Sequence, residues 1–269
     1  MKRAGADEAV DQTENSSQEG GESQGVRSVQ RALDILALLT ETQPTVSISD
    51  IVKETGLAKT TVIRLAQTLE QNGLLWATPK GYMAGPGLWR WAHLAKQSWE
   101  LPAETKQLMR ELGDRQRETV NLYVLRDIYR VCVAQQESPQ SLRHVVRVGD
   151  ELPLWAGASS KVLLRDASAA LLTRIARSSP YGVEHVSALQ ASVAETAEQG
   201  FAFSHGEREA GLSAVAVPIV SSTGTVVAAL SLSGPTVRFP DDRISEFVDD
   251  LKSVAARMAE RGFAHPFAG

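Results

Sequence analysis

The sequence predicts an α+β fold in which a small helical unit precedes a largely antiparallel sheet covered by helices. Three observations carry this. Apolar residues between Ser28 and Asn72 recur at helical spacing, whereas from Glu118 the period drops to two. A tryptophan-bearing helix ended by Pro102 separates the two regimes. At 269 residues, 43% hydrophobic and 22% charged, the chain has room for two domains and an ordinary globular composition.

The expected boundaries are a disordered tail at 1–25, a first domain at 26–86, a linker helix at 87–101, a second domain at 102–263 and a short tail at 264–269. The first tail, "MKRAGADEAVDQTENSSQEGGESQG", is rich in Gly, Ser, Gln and Glu and nearly lacks large apolar groups. "SVQRALDILALLT" then sets Val29, Leu33, Leu36 and Leu39 or Thr40 on one stripe of a first helix. Ser47 or Ser49 can cap a second helix ending near Thr55, with Asp50 in its first turn, where the helix dipole favours a negative charge. Gly56 supplies the turn into a third helix over 58–72. Its core face is Val62, Leu65, Ala66 and Leu69; on the opposite arc stand Thr60, Arg64, Gln67 and Gln71, flanked by Thr61 and Thr68. Two helices joined by a short turn, the second carrying Thr, Arg and Gln outward, are the ingredients of a helix-turn-helix. Arg and Gln can bond base edges bidentately, and Thr can bond phosphate or touch a thymine methyl. The same pattern also describes a plain helical hairpin with a solvated face.

"LLWATPKGYMAG" reads as two short strands around "TPKG", where Pro79 fixes φ and Gly81 tolerates positive φ. A hairpin directly after such a helix is a wing, with Lys80 at its tip placed to touch a phosphate or enter a minor groove. In "GLWRWAHLAKQSWE", Leu88, Trp91 or Ala92, Ala95 and Trp99 fall at helical spacing beside Trp89. So much aromatic surface predicts a linker helix that packs against a second copy of the chain, the alternative being a terminal helix folded onto one domain. A helix over 103–117 follows. Strands are expected in "TVNLYVL", "YRVCVAQQ", "LRHVVRV", "FAFS", "LSAVAVPIV" and "TVVAALSLSG", with helices near 158–178 and 187–200 and a last helix from Pro240 to about Arg261.

Net charge is −4, divided as −4 over 1–25, +2 over 26–92 and −2 over the remainder. Only the helix-turn-helix region is positive, which suits moderate, dimer-assisted DNA binding over indiscriminate phosphate binding. No apolar run approaches the ~18 residues of a membrane span, and the start lacks a signal-peptide core, so the expected location is the cytoplasm, away from membranes. The single cysteine, Cys132, reads as a buried small hydrophobe. The five histidines form no metal-spaced pair; neither a metal, a cofactor nor a catalytic set is expected.

A pocket is legible instead. Ser231 and Ser233 share a strand face with Val227 and Ala229, opposite Val226, Ala228, Leu230 and Leu232, while Leu212, Ala214 and Ala216 share a face of the preceding strand. Small side chains on neighbouring strands leave space into which the two serines can donate, or into which a helix packs closely. "LWAGASSKVLL" adds a turn whose free N–H groups suit a carboxylate. His205 and Glu207 in "FSHGERE" can be read as a ligand pair or as ordinary polar side chains facing solvent.

Seven blocks in order resemble the IclR family of bacterial transcription regulators over about 26–263, among them "VRSVQRALDIL", "ISDIVKETGLAKTTVIRLAQTLEQNG", "GPGLWRWA", "VRVGDELPLWAGASSKVLL" and "GTVVAALSLSGPTVRF". The resemblance implies a winged helix-turn-helix, a linker helix and a GAF-like effector domain, working as dimers or dimers of dimers on palindromic double-stranded operator DNA. By position it assigns Lys59, Thr60, Thr61, Arg64 and Gln67 to DNA reading. Arg27, Ser28 and Arg31 go near the backbone and Lys80 with the wing, and Ser47 is counted in the DNA-binding set. It places a small-molecule effector against Ala158, Ser159, Ser204, Ala214, Ser231 and Ser233. Two positions depart from the family: Trp155 stands where His or a smaller residue is common, and Ser159–Ser160 replaces a Gly-containing pair. With Trp155, Phe201 and Phe203 as walls, the expected effector is a small organic acid or an aromatic acid derivative that releases a repressor. The alternative is an enzyme on small molecules with an accessory helical domain.

Overall fold

A computed structural model of the chain describes residues 26–263, the Trp99 side chain excepted, so both expected tails lie outside the described residues. Two compact units meet between Leu94 and Ala95. The first holds α1 (Arg27–Ala37), β1 (Thr45–Val46), α2 (Ile48–Thr55), α3 (Lys59–Gln71), β2 (Leu75–Thr78) and β3 (Gly81–Ala84), and α4 (Gly87–Trp99) begins in it. Its core is Ile35, Val46, Ile51, Val62, Ala66, Leu69 and Leu75. The expected inner face of α3 is therefore the buried one, with Leu65 packed beside it. On α1 the outcome differs: Ile35 is buried with Ala32 and Leu36 beside it, while Val29 and Leu33 stand more than half exposed. The helix is apolar on two adjoining stripes, and a unit this small can cover only one of them.

Ser47 caps α2 in a reciprocal box: Asp50 N donates to Ser47 Oγ at 3.1 Å, and Ser47 N donates to Asp50 Oδ2 at 2.9 Å. β2 and β3 pair around Pro79–Lys80, as expected, but β1 adds a third strand through Thr45–Met83 and Val46–Tyr82. Gly81 makes this possible. Its φ is +131°, and a Cβ there would sit 2.4 Å from the Val46 carbonyl oxygen.

The second unit continues with α5 (Ala103–Gln116), β4 (Thr119–Arg126), β5 (Tyr129–Gln136), β6 (Glu151–Pro153), α6 (Ala158–Leu163), α7 (Ala169–Ser178), α8 (Val186–Gln199), β7 (Ala202–His205), β8 (Leu212–Val220), β9 (Val226–Pro235) and α9 (Asp241–Glu260). The strands form one antiparallel sheet in the order β6-β5-β4-β9-β8-β7. α5 and α9 pack on one face through residues such as Leu112, Phe247 and Leu251, and α6, α7 and α8 pack on the other through Val162, Ile175 and Leu189. The α+β expectation, a helix-turn-helix unit followed by an antiparallel sheet with helices on it, describes this molecule.

Three local expectations are corrected. Residues 142–148 form no strand: only Val146 is buried, Leu142, Val145 and Val148 are exposed, and the backbone is held by single bonds such as Thr119 Oγ1 to His144 O at 2.8 Å. The strand beside β5 is instead β6. The 158–178 helix breaks in two, because Ser168 starts α7 by accepting from Leu171 N and Asp166 turns aside to accept from Val226 N. On β9, a register shift opposite Ile219 and Val220 reverses the expected faces of Val226 and Val227, so Val227 packs with α5 and α9 and Val226 with α6.

Candidate functional site

In the first unit, Lys59, Thr60, Arg64, Gln67 and Gln71 are exposed along α3 and Thr61 is half-buried. Thr68 is used internally, its hydroxyl donating to Arg64 O at 2.9 Å. α3 has no side-chain cap, so its first backbone N–H groups are open to an anion. Lys80 is exposed at the hairpin tip, and Arg27, Ser28 and Arg31 are exposed on the first turns of α1. Ser47 is half-buried and committed to its cap.

In the second unit, register brings the expected effector residues together in two rows. Ser204, Ala214, Ser233 and Thr119 are successive cross-strand partners, as are Ala202, Ala216, Ser231 and Asn121. α6 lies over these rows with Ala158 and Ser159, enclosing a cavity of about 40 Å³. Sequence reasoning passed over several further lining residues, among them Arg130, His144 and Arg208.

Arg130 is the most informative. It is buried on the cavity side of β5, with its guanidinium carbon 5.5 Å from the Tyr123 ring centroid. Its Nη1 donates to the carbonyls of Pro153 and Ala156, each at 2.8 Å, and to Ser160 Oγ; Nε is buried without a hydrogen-bond partner. Burial pulls its pKa down to about 10, so it keeps its charge at neutral pH. Its hydrogen bonds go to neutral oxygens, and the carboxylate acting on it is Glu207, which lines the same cavity, so the buried charge is only partly compensated. The sequence did carry a signal: Arg130 stands in phase with Cys132 in an apolar run. Gly157 lets the α6 turn close over it, at φ +100° and with a Cβ position 3.2 Å from Arg130 Nη2.

Arg208 Nη2 lies 3.1 Å from His144 Nε2, and His144 Nδ1 lies 3.0 Å from Ser233 Oγ. An arginine can only donate, so Nε2 accepts and Nδ1 carries the hydrogen given to Ser233. Burial, then Arg208, lowers the His144 pKa to about 4, in keeping with this neutral tautomer. Asn121 Nδ2 also donates to Ser233 Oγ, at 3.0 Å. Ser233 thus accepts twice and keeps its own hydrogen to give. Ser231 Oγ has only a 3.5 Å contact to Asn121 O, too long to satisfy it. Cys132 is buried as expected, its thiol pushed up to about 12 by burial and by Asp150.

The expected walls lie elsewhere. Phe201 and Phe203 pack on the opposite sheet face, with α5 and α9, and Trp155 lines a separate cleft beside α8. The Ser159–Ser160 pair divides its work: Ser159 lines the cavity, while Ser160 bonds Arg130 and Ala156 O. His205 and Glu207 have separate partners: His205 Nδ1 meets Ser213 Oγ, and Glu207 accepts from Gly157 N at 2.9 Å and Lys161 Nζ at 2.5 Å.

The model of the IclR helix-turn-helix domain matches residues 28–78, and that of the bacterial transcriptional regulator IclR C-terminal domain matches residues 93–260. The chain belongs to the IclR family. It is similar to the HTH-type transcriptional regulator XynR of Escherichia coli (strain K12), 31% identical over 249 residues that cover 90% of this chain and 98% of that protein. It is also similar to the transcriptional repressor IclR of the same strain, 28% identical over 239 residues, 82% of this chain and 85% of that one. Among solved structures, an IclR-family transcriptional regulator from Rhodococcus sp. is 40% identical, with a TM-score of 0.61 over 93% of this chain and 98% of the other. As a member of this family, the chain is a DNA-binding transcription regulator whose C-terminal domain binds an effector. These relatives are regulators, which leaves the enzyme reading without support. Among the described residues, no helix is long and apolar enough to cross a membrane.

Proposed function

We propose that the chain is a cytoplasmic repressor that reads a palindromic operator as a dimer or dimer of dimers and lets go when a small organic acid binds. In this reading residues 26–86 dock on DNA, 87–101 link and pair subunits, and 102–263 sense the effector. α3 enters the major groove with Lys59, Thr60, Thr61, Arg64 and Gln67 toward the bases and phosphates. Lys80 on the wing and Arg27, Ser28 and Arg31 on α1 hold the backbone, and Ser47 contributes by fixing the start of α2.

The observation that carries the effector assignment is the small cavity lined by the buried guanidinium of Arg130, whose hydrogen bonds go to neutral oxygens. Its volume is room for about three water molecules, the scale of the smallest organic acids. Arg130 supplies charge, and Ser231 and Ser233 supply hydroxyl donors. A ligand making these contacts in one domain arrangement and not the other shifts the population between DNA-binding states.

Gel shift on the chain's own promoter, with and without acids that raise its melting temperature, tests the reading. Arg64→Ala is expected to lower specific operator affinity by roughly tenfold or more, from the ~1–3 kcal/mol of a bidentate base contact, and to leave acid binding intact. Unchanged operator affinity would count against the DNA-reading set, and an Arg130→Met chain that still responds to the acids would count against the cavity.

A further inference from the structure

The Trp155 cleft shares Glu207 with the lining of the small-acid cavity but is otherwise separate, and it has its own chemistry. It measures about 400 Å³, ten times the cavity's volume, within the range of sites for drug-sized ligands. Trp155 and Tyr181 meet edge to face at 5.9 Å, and the Tyr181 and His185 rings lie 5.1 Å apart. His185 Nε2 lies 3.1 Å from Trp155 O, which ties the aromatic group to the turn before α6. Leu164, Leu189 and Val193 supply aliphatic surface. At the polar end stand Lys161 and Glu207, 2.5 Å apart and neutralising each other. Lys161 also donates to Phe203 O at 2.9 Å, and Glu207 also accepts from Gly157 N.

We infer that this cleft is a second ligand site, for a neutral planar aromatic carrying a hydroxyl or amide. The inference rests on the regulator reading only for its purpose, not for the binding itself. The aromatic walls match a flat apolar body. The ion pair offers a carboxylate acceptor and an ammonium donor side by side, which suits a group that both donates and accepts. A ligand carboxylate would instead lose its hydration against a pair whose charges already cancel. Glu207 borders both spaces, since it lines the cleft and also the acid cavity. A ligand that draws Glu207 toward the cleft releases Gly157 N at the edge of the other site. The two ligands are therefore coupled, each changing the affinity for the other by the same factor.

Calorimetric titration of the full chain with 4-hydroxybenzamide tests this, with 4-hydroxybenzoate as its anionic counterpart and operator binding followed by gel shift in parallel. The amide is expected to saturate at one per chain and to bind about tenfold more tightly than the acid. Ala188→Trp, which fills the cleft from an exposed position on α8, and Trp155→Leu should each weaken the amide at least tenfold, while Ser231→Ala in the other cavity leaves it unchanged. No saturable binding, indifference to both cleft substitutions, equal loss in Ser231→Ala, or tighter binding of the acid would overturn the assignment. Loss of operator binding by the unmodified chain would strike the regulator reading and leave the cleft result standing.

Discussion

The two faces of the C-terminal sheet are built from the same strands and do opposite work. Toward α5 and α9, β8 and β9 present Val215, Val217, Ile219, Leu230 and Leu232, all fully buried. Toward α6 the alternate positions are Ala214, Ala216, Ala229, Ser231 and Ser233. Branched side chains fill the space under a helix; alanine and serine leave it open and polar. Alternation along a strand thus lets one sheet carry a stabilising core and a ligand cavity only a strand's thickness apart.

The sharpest test of that division is to truncate the packed face. Leu230→Ala removes a fully buried side chain from an interior strand of the sheet. A loss of about 3 kcal/mol is expected, on the scale of buried leucine truncations, read as a lower urea midpoint with an unchanged slope. A loss under about 1 kcal/mol would mean the α5/α9 face is not the principal core.

That division was legible in the residues because period-two spacing assigns faces directly. It misassigned Val226 and Val227, since a register shift is a property of strand pairing and leaves no mark in a single strand. The same limit explains the walls. Phe201 and Phe203 are near the pocket in sequence, but pairing with β8 turns Phe203 to the packed face. Residues 142–148 alternate like a strand, yet their exposed valines show that alternation without a partner does not form one. Arg130 and His144 were missed for a different reason: each gains its role from long-range neighbours, the turn at 153–160 and the Arg208–Ser233 contacts. In the first unit the polar arc of α3 was readable, because a helix's faces depend only on its own spacing.

The polar face can be probed by pH. His144 is neutral in the folded chain, its pKa lowered from 6.5 to about 4, whereas in the unfolded chain it takes up a proton near 6.5. The unfolded state therefore binds more protons between these values, so the contribution to stability is complete above pH 6.5 and is lost as pH falls toward 4. Between pH 7 and pH 5 the loss is about 1–2 kcal/mol, allowing for the ring's partial exposure. Urea midpoints at the two pH values should converge in His144→Gln relative to the unmodified chain. An equal drop in both would show that other groups control the acid limb.

The smallest stability effect separates the faces most cleanly. Ser231 and Leu230 are adjacent, both essentially inaccessible, and point to opposite sides of β9. Ser231 Oγ makes only the 3.5 Å contact to Asn121 O, so Ser231→Ala forfeits little native bonding and creates almost no void. Its cost should stay below about 1 kcal/mol, within the net value of one hydrogen bond. The acid, by contrast, loses a hydroxyl donor to a charged group, about 1.5–3 kcal/mol, or roughly tenfold to a hundredfold in affinity. Melting curves with and without the tightest-binding acid read both quantities together. A destabilisation comparable to Leu230→Ala would make Ser231 a core residue, and an undiminished acid response would move the ligand away from β9.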